Sequence, residues 1–172
     1  MSRTLARVRA GDASIALTRR TFSPMLTRSG MKCFSTTFTI ATDGRTELAD
    51  VTKHVRAALQ QLPVSTGIAL VTGTATTSAL LVHEFSPALV ADLKRVMEHL
   101  VPDHVDYRHD DPRHLHCERQ DASAHLRAAL LGRSVSVGVA GGELVLGDFD
   151  SIIFAEFDGP RTHEIAVQVI GE

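Results

Sequence analysis

Hydrophobic positions along this chain repeat in two different periods, and the switches between them mark its elements. Patterned sequence begins at Met31. Phe34, Phe38 and Ile40 fall on period-two spacing within a β-branched, aromatic-rich stretch, which predicts a strand. Asp43-Gly44 makes a turn. Asp50 is a good N-cap for a helix running to about Gln61, with Val51, Val55, Ala58 and Leu59 on one face, and Pro63 ends it. The apolar run Gly67–Thr72 predicts a buried strand, with Leu80–Val82 as its continuation or the next strand. Ser86-Pro87 opens a second helix that carries Leu89, Leu93, Val96, Met97 and Leu100 at helical spacing, and Pro102 closes it. Residues 103–121 are polar and without period, which predicts a loop long enough to be functional or disordered.

A short helix from about Ala122 to Leu131 follows, with Gly132 just past its end. The remainder alternates. Ser134–Val139 and Glu143–Leu146 flank Gly141-Gly142 as a hairpin, and Ser151–Glu156 and His163–Ile170 flank Asp158-Gly159-Pro160 as a second one. Strands outnumber helices and the pairings read as sequential. The prediction is an α+β domain built on an antiparallel sheet or sandwich, with two or three helices packed against it.

Composition narrows the classes. With 172 residues and 44% hydrophobic content, one substantial core is expected. A net charge of −2 advertises no nucleic-acid or anionic-membrane surface, and the lack of Trp argues against a base-stacking platform. No apolar run approaches the roughly 18 residues that span a bilayer. Two cysteines, Cys33 and Cys117, are too few for a disulfide framework, so a reducing, cytoplasmic setting is expected. Residues 1–30 differ from the rest. They hold six arginines against the single acid Asp12 and are rich in Ser and Thr. The expectation is a basic extension, disordered or upstream of a true start at Met31, with the domain spanning residues 31–172. The competing reading is an organelle transit peptide.

The candidate chemistry is concentrated. Six of the nine histidines, His99, His104, His109, His114, His116 and His125, fall in one short stretch, interleaved with Asp106, Asp110, Asp111, Cys117, Glu118 and Asp121. Imidazoles and carboxylates bind transition metals and move protons near neutral pH. The spacing matches no zinc signature, and a solvated loop that tolerates histidine is the plain alternative. His125 sits early in a predicted helix, where an anion is also favoured. The hydroxyls of Thr74–Ser78 follow a buried strand. Glu84 precedes a helix, as a general base or a dipole-favouring acid. Arg161 follows a turn, where it can clamp an anion. No Walker loop, dinucleotide fingerprint, nucleophile elbow or paired CxxC is present.

The order of these pieces resembles a known family. Thr76-Thr77-Ser78-Ala79-Leu80, Glu84, Asp92-Leu93, Pro102, Tyr107-Arg108-His109-Asp110, Ala124-His125-Leu126, Leu131-Gly132-Arg133-Ser134 and Glu156–Arg161 follow in the sequence of the YjbQ-like proteins, the secondary thiamine-phosphate synthase enzymes. The resemblance runs from about Met31 to the last residue. It implies an α+β fold with a β-sandwich-like core, a homotrimer, and a pocket of histidines and a Glu holding a divalent metal (Zn or Mg) or an anion. Glu84 matches the motif Glu, His109 the His of Tyr-x-His, and His125 the His before Leu. Two positions depart: Ala75 stands where the family has His, and Phe149 where it has Trp.

The implied activity joins a pyrimidine pyrophosphate to a thiazole phosphate. His109 and His125 would bind metal or pyrophosphate, Glu84 would orient a ligand or accept a proton, Thr76, Thr77 and Ser78 would donate to substrate, and Arg161 would hold phosphate. The alternative is a non-catalytic homotrimer that binds metal or anion, with a metal-dependent hydrolase as the weaker third option.

Overall fold

The computed structural model describes residues 5–10, 13–18, 31–113 and 120–172. Ten strands and three α-helices run through these residues. Strands β1 (Leu5–Ala10) and β2 (Ala13–Thr18) come first, followed by β3 (Lys32–Ala41), β4 (Glu47–Asp50) and helix α1 (Thr52–Leu59). Next are β5 (Thr66–Gly73), β6 (Ser78–Glu84) and α2 (Pro87–Leu100). A 3-10 turn (Arg108–Asp110) precedes α3 (Ala122–Leu131), and β7 (Ser134–Ala140), β8 (Glu143–Val145), β9 (Asp150–Glu156) and β10 (Thr162–Gly171) complete the chain.

The strands form two antiparallel sheets. One has seven strands in the order β1-β2-β3-β10-β5-β7-β8, and the other has three in the order β4-β9-β6. This is the α+β, sandwich-like architecture the sequence predicts. The pairing is less sequential than predicted. Ser151–Glu156 and His163–Ile170 are not partners: β9 lies between β4 and β6, while β10 lies in the larger sheet between β3 and β5. Both stretches are strands, and the Asp158–Pro160 turn carries the chain from one sheet to the other instead of closing a hairpin. The Gly141-Gly142 hairpin forms as expected, with φ of 60° and 79° that only glycine adopts without strain.

Burial explains these positions. β10 alternates buried and exposed residues, as a strand with one solvated face does. β9 buries Ile152, Ile153, Phe154 and Ala155 in succession, because both faces of its sheet are covered. Ile152 and Phe154 face the larger sheet, joining Phe38, Ile40, Val71, Val167 and α1 in the main core. Ile153 and Ala155 turn the other way, toward Met97 of α2 and Ala124 and Ala128 of α3. The Ile, Phe and Met side chains among them stabilise by ~1.5–3 kcal/mol each when fully buried. α3 is thereby held against the outer face of the small sheet. Among the described residues no helix is long and apolar enough to cross a membrane.

Candidate functional site

The N-terminal end of α3 gathers three polar side chains. His109 comes from the 3-10 turn, Asp121 from the residue before the helix, and His125 from the helix one turn later. The Oδ1 of Asp121 lies 3.3 Å from His109 Nε2 and 3.5 Å from His125 Nε2. The two rings meet edge to face, with centroids 4.9 Å apart and planes at 80°. One ligand atom from each residue falls within 4.8 Å of the others, the spacing of a metal-binding group. Asp121 is buried, while the His109 and His125 side chains are 47% and 33% exposed. The cluster therefore opens to solvent on the histidine side.

Local hydrogen bonding explains the convergence. Asp121 occupies the N-cap position but makes no capping bond with its side chain. Asp110 serves instead: its Oδ1 accepts from the backbone N–H of Ala122 at 3.0 Å. A remote cap satisfies a helix-end donor. It also staples the turn that carries His109 onto the helix that carries His125, and it leaves Asp121 Oδ1 to the two histidines. The sequence places Asp121 in the polar stretch without marking it as a ligand. The usable signal is its position four residues before His125, on the same side of the helix.

The remaining predicted residues lie elsewhere. Glu84 is exposed at the end of β6, opposite Asp150, and is outside the cluster. It borders a mostly apolar groove of about 290 Å³ between α2 and the small sheet. Thr76 is exposed, whereas Thr77 and Ser78 are buried, and the Thr77 hydroxyl has no partner among the described residues. His114, His116, Cys117 and Glu118 lie outside the described residues. A depression of about 790 Å³ is lined by Asp103, Asp106 and Asp110 among others, but by neither His109 nor His125.

Arg161 belongs to a second polar cluster. Its guanidinium pairs with Asp158, and its backbone N–H donates to Thr42 Oγ1 at 3.0 Å. Next to it, Glu156 and His163 form a buried close pair that links β9 to β10. Glu156 Oε1 also accepts from the backbone N–H groups of Phe157 at 3.0 Å and Asp158 at 2.9 Å. A buried carboxylate needs this many donors to remain satisfied. Arg45 joins the two clusters. Its carbonyl accepts from Gly159 N–H at 3.0 Å, and its Nη2 donates to the Gln120 carbonyl at 2.9 Å, one residue before Asp121. Gly159 permits the close approach, since a Cβ there would stand 2.2 Å from the Gly44 carbonyl oxygen.

Comparison with known proteins agrees with this architecture. Residues 36–172 match the family described as UPF0047 protein YjbQ-like. A UPF0047 protein of Archaeoglobus fulgidus is 40% identical over 134 residues, covering 77% of this chain and 98% of that protein. UPF0047 protein YugU of Bacillus subtilis is 32% identical over 136 residues, covering 78% of this chain and 98% of its own length. Among solved structures, a YbjQ-like protein from Sulfolobus solfataricus superposes with a TM-score of 0.77 at 27% identity, covering 83% of this chain and 99% of that one. A YjbQ/UPF0047 protein from Clostridium acetobutylicum gives 0.70 at 28% identity, covering 77% and 98%.

Proposed function

The chain belongs to the YjbQ-like UPF0047 family, and from that membership we propose a homotrimeric, metal-dependent enzyme that joins phosphorylated pyrimidine and thiazole substrates, in the manner of a thiamine-phosphate synthase. The observation that carries the reading is the convergence of His109, Asp121 and His125 at one solvent-open point. Two imidazoles and one carboxylate suit zinc better than magnesium, which prefers oxygen donors and water. Three protein ligands with an open side also leave room for substrate. A divalent cation held there supplies positive charge for a departing pyrophosphate.

The protein's own residues supply the rest. Asp121 would be the third ligand beside the two imidazoles, and the Asp110 cap fixes the turn that bears one of them. Thr76 and Arg161 are the candidate phosphate contacts, with the Thr77 hydroxyl as a further donor. Glu84 stands apart from the histidines within one chain, so its role in the same site requires delivery from a neighbouring subunit of the trimer. A cytoplasmic location completes the proposal.

The second reading is a non-catalytic trimer that binds metal or anion, and Ala75 favours it. The imidazole the family places there is missing, and Ala cannot replace a ligand. Two measurements decide between them. Protein purified without chelator is expected to carry about one zinc per chain, and His125→Ala to lose most of it. Wild type given the pyrimidine pyrophosphate and thiazole phosphate is expected to yield product above the His125→Ala background. Zinc without product leaves the binding trimer, and neither zinc nor product removes the metal centre.

A further inference from the structure

Arg127 is the largest fully buried side chain among the described residues, with 1% of its surface exposed. A guanidinium in such a place is costly unless its charge is paired and its donors are used. Its Nε and Nη2 both donate to the carbonyl of Val101, at 3.1 and 2.7 Å. Its Nη2 also lies 3.1 Å from Asp103 Oδ1, and the same oxygen accepts from the Ser123 hydroxyl. Burial pushes the Asp103 carboxyl up, but the Ser123 hydroxyl and the Arg127 guanidinium, aided by Arg45, outweigh it and hold the group below its usual range. Asp103 therefore stays ionised opposite the buried cation.

Ser123 and Arg127 are one turn apart on α3, as are Asp121 and His125. The two pairs are offset by two residues, about 200° around the helix axis, so they occupy opposite sides. One side of α3 thus grips the segment after α2, while the other carries the candidate ligands. That same segment continues to His109, where Asp110 ties it to α3 a second time at Ala122. His109 rides on a loop anchored to the helix at both ends. Any roll or slide of α3 released at Asp103 would be felt at both histidines.

We infer that the Asp103–Ser123–Arg127 network is a positioning device for the His109–Asp121–His125 centre, setting the rotation of α3 and the distance between the two imidazoles. None of its members touches the ligand point. The metal-affinity part of this inference rests on the proposed metal centre, but the ring geometry is independent of it.

The test therefore has two readouts on the full chain, the ring-to-ring nuclear Overhauser contact between His109 and His125 without metal and the affinity for zinc. Asp103→Asn removes the charge and keeps the shape. The expected result is a weakened or lost contact between the rings and a 10- to 100-fold fall in zinc affinity, the range typical of groups that orient metal ligands. Asp103→Glu is expected to recover part of both. Ser123→Ala, which leaves the ion pair intact, serves if Asp103→Asn does not fold, and a smaller change of the same kind supports the inference. A folded Asp103→Asn protein with an unchanged ring contact and unchanged affinity overturns it. If wild type binds no zinc while the ring contact is still lost in the variant, the metal centre falls and the positioning device stands.

Discussion

At the scale of single residues, the polar groups that are buried without full pairing carry the clearest consequences. His54 on α1 is 8% exposed, stacks on Phe38 with ring centroids 5.7 Å apart, and has no hydrogen-bond partner for its Nδ1 among the described residues. Burial lowers its pKa below the ordinary 6.5, and Lys53 adds to the effect while Asp50 opposes it. The unfolded chain therefore binds a proton at His54 more readily than the folded one. Stability from this group is full above about 6.5 and is lost as the pH falls through that value toward the lower folded pKa. The urea midpoint of the wild type is expected to drop between pH 7 and pH 5. His54→Leu, which cannot titrate and leaves no unmet polar atom, is expected to lose much of that drop. An equal drop in both proteins would show that the pH dependence comes from other groups. Arg127 shows how much of this scale escapes sequence reading. Its Arg-Ala-Ala-Leu setting gives no sign of burial, because the Asp103 that neutralises it lies on a different segment.

At the scale of elements, the sequence is legible where periodicity is local and illegible where partners are distant. The spans of α2 and α3 and of the β7–β8 hairpin follow from Pro87, helical spacing, Gly132 and Gly141-Gly142, although neither Ser86 nor Asp121 makes a capping bond with its side chain. β4 was hidden, because a four-residue strand between a turn and a helix has too little pattern to register. The β9–β10 pairing failed for a different reason. Two strands across a tight turn imply a hairpin only if one sheet takes both, and here the apolar run of β9 required a sheet covered on both faces. The site divides in the same way. His109 and His125 could be read from residue type, whereas the roles of Asp110 and Asp121 depend on which acid caps α3. That exchange is testable. Asp110→Ala should cost about 1 kcal/mol of stability, as loss of a helix cap does. It should also weaken zinc binding, because His109 loses its tether, while the exposed Asp92→Ala, which breaks only a surface pair with Arg95, should change neither. Chemical denaturation alongside zinc titration measures both. Equal zinc affinity in wild type and Asp110→Ala would mean that His109 is placed by other contacts.

At the scale of the whole molecule, the proposed trimer is what would bring Glu84 to the histidines. The histidine cluster of one chain is open, with the two imidazole side chains 47% and 33% exposed, and its motif carboxylate Glu84 sits elsewhere, at the free end of β6. Phe149, 78% exposed on the turn before β9, lies next to Asp150, the strand partner of Glu84. In the proposed trimer, Glu84 of one chain would meet the histidine cluster of its neighbour. Head-to-tail association of identical chains repeats such a meeting at every interface of a closed ring. This geometry makes a sharp prediction for mixed assemblies. If the proposed head-to-tail trimer holds, His125→Ala and Glu84→Gln are each expected to be inactive alone, since every interface then lacks one of the two groups. In subunits unfolded together and refolded at equal ratio, random assembly gives about one interface in four with an intact His125 from one chain and an intact Glu84 from its neighbour. Activity per chain should then return to about a quarter of wild type. Light scattering should report a trimer throughout. Mixed trimers that remain inactive while wild type turns over would put Glu84 in the same chain's site as His125, and an active Glu84→Gln protein would place Glu84 outside the reaction.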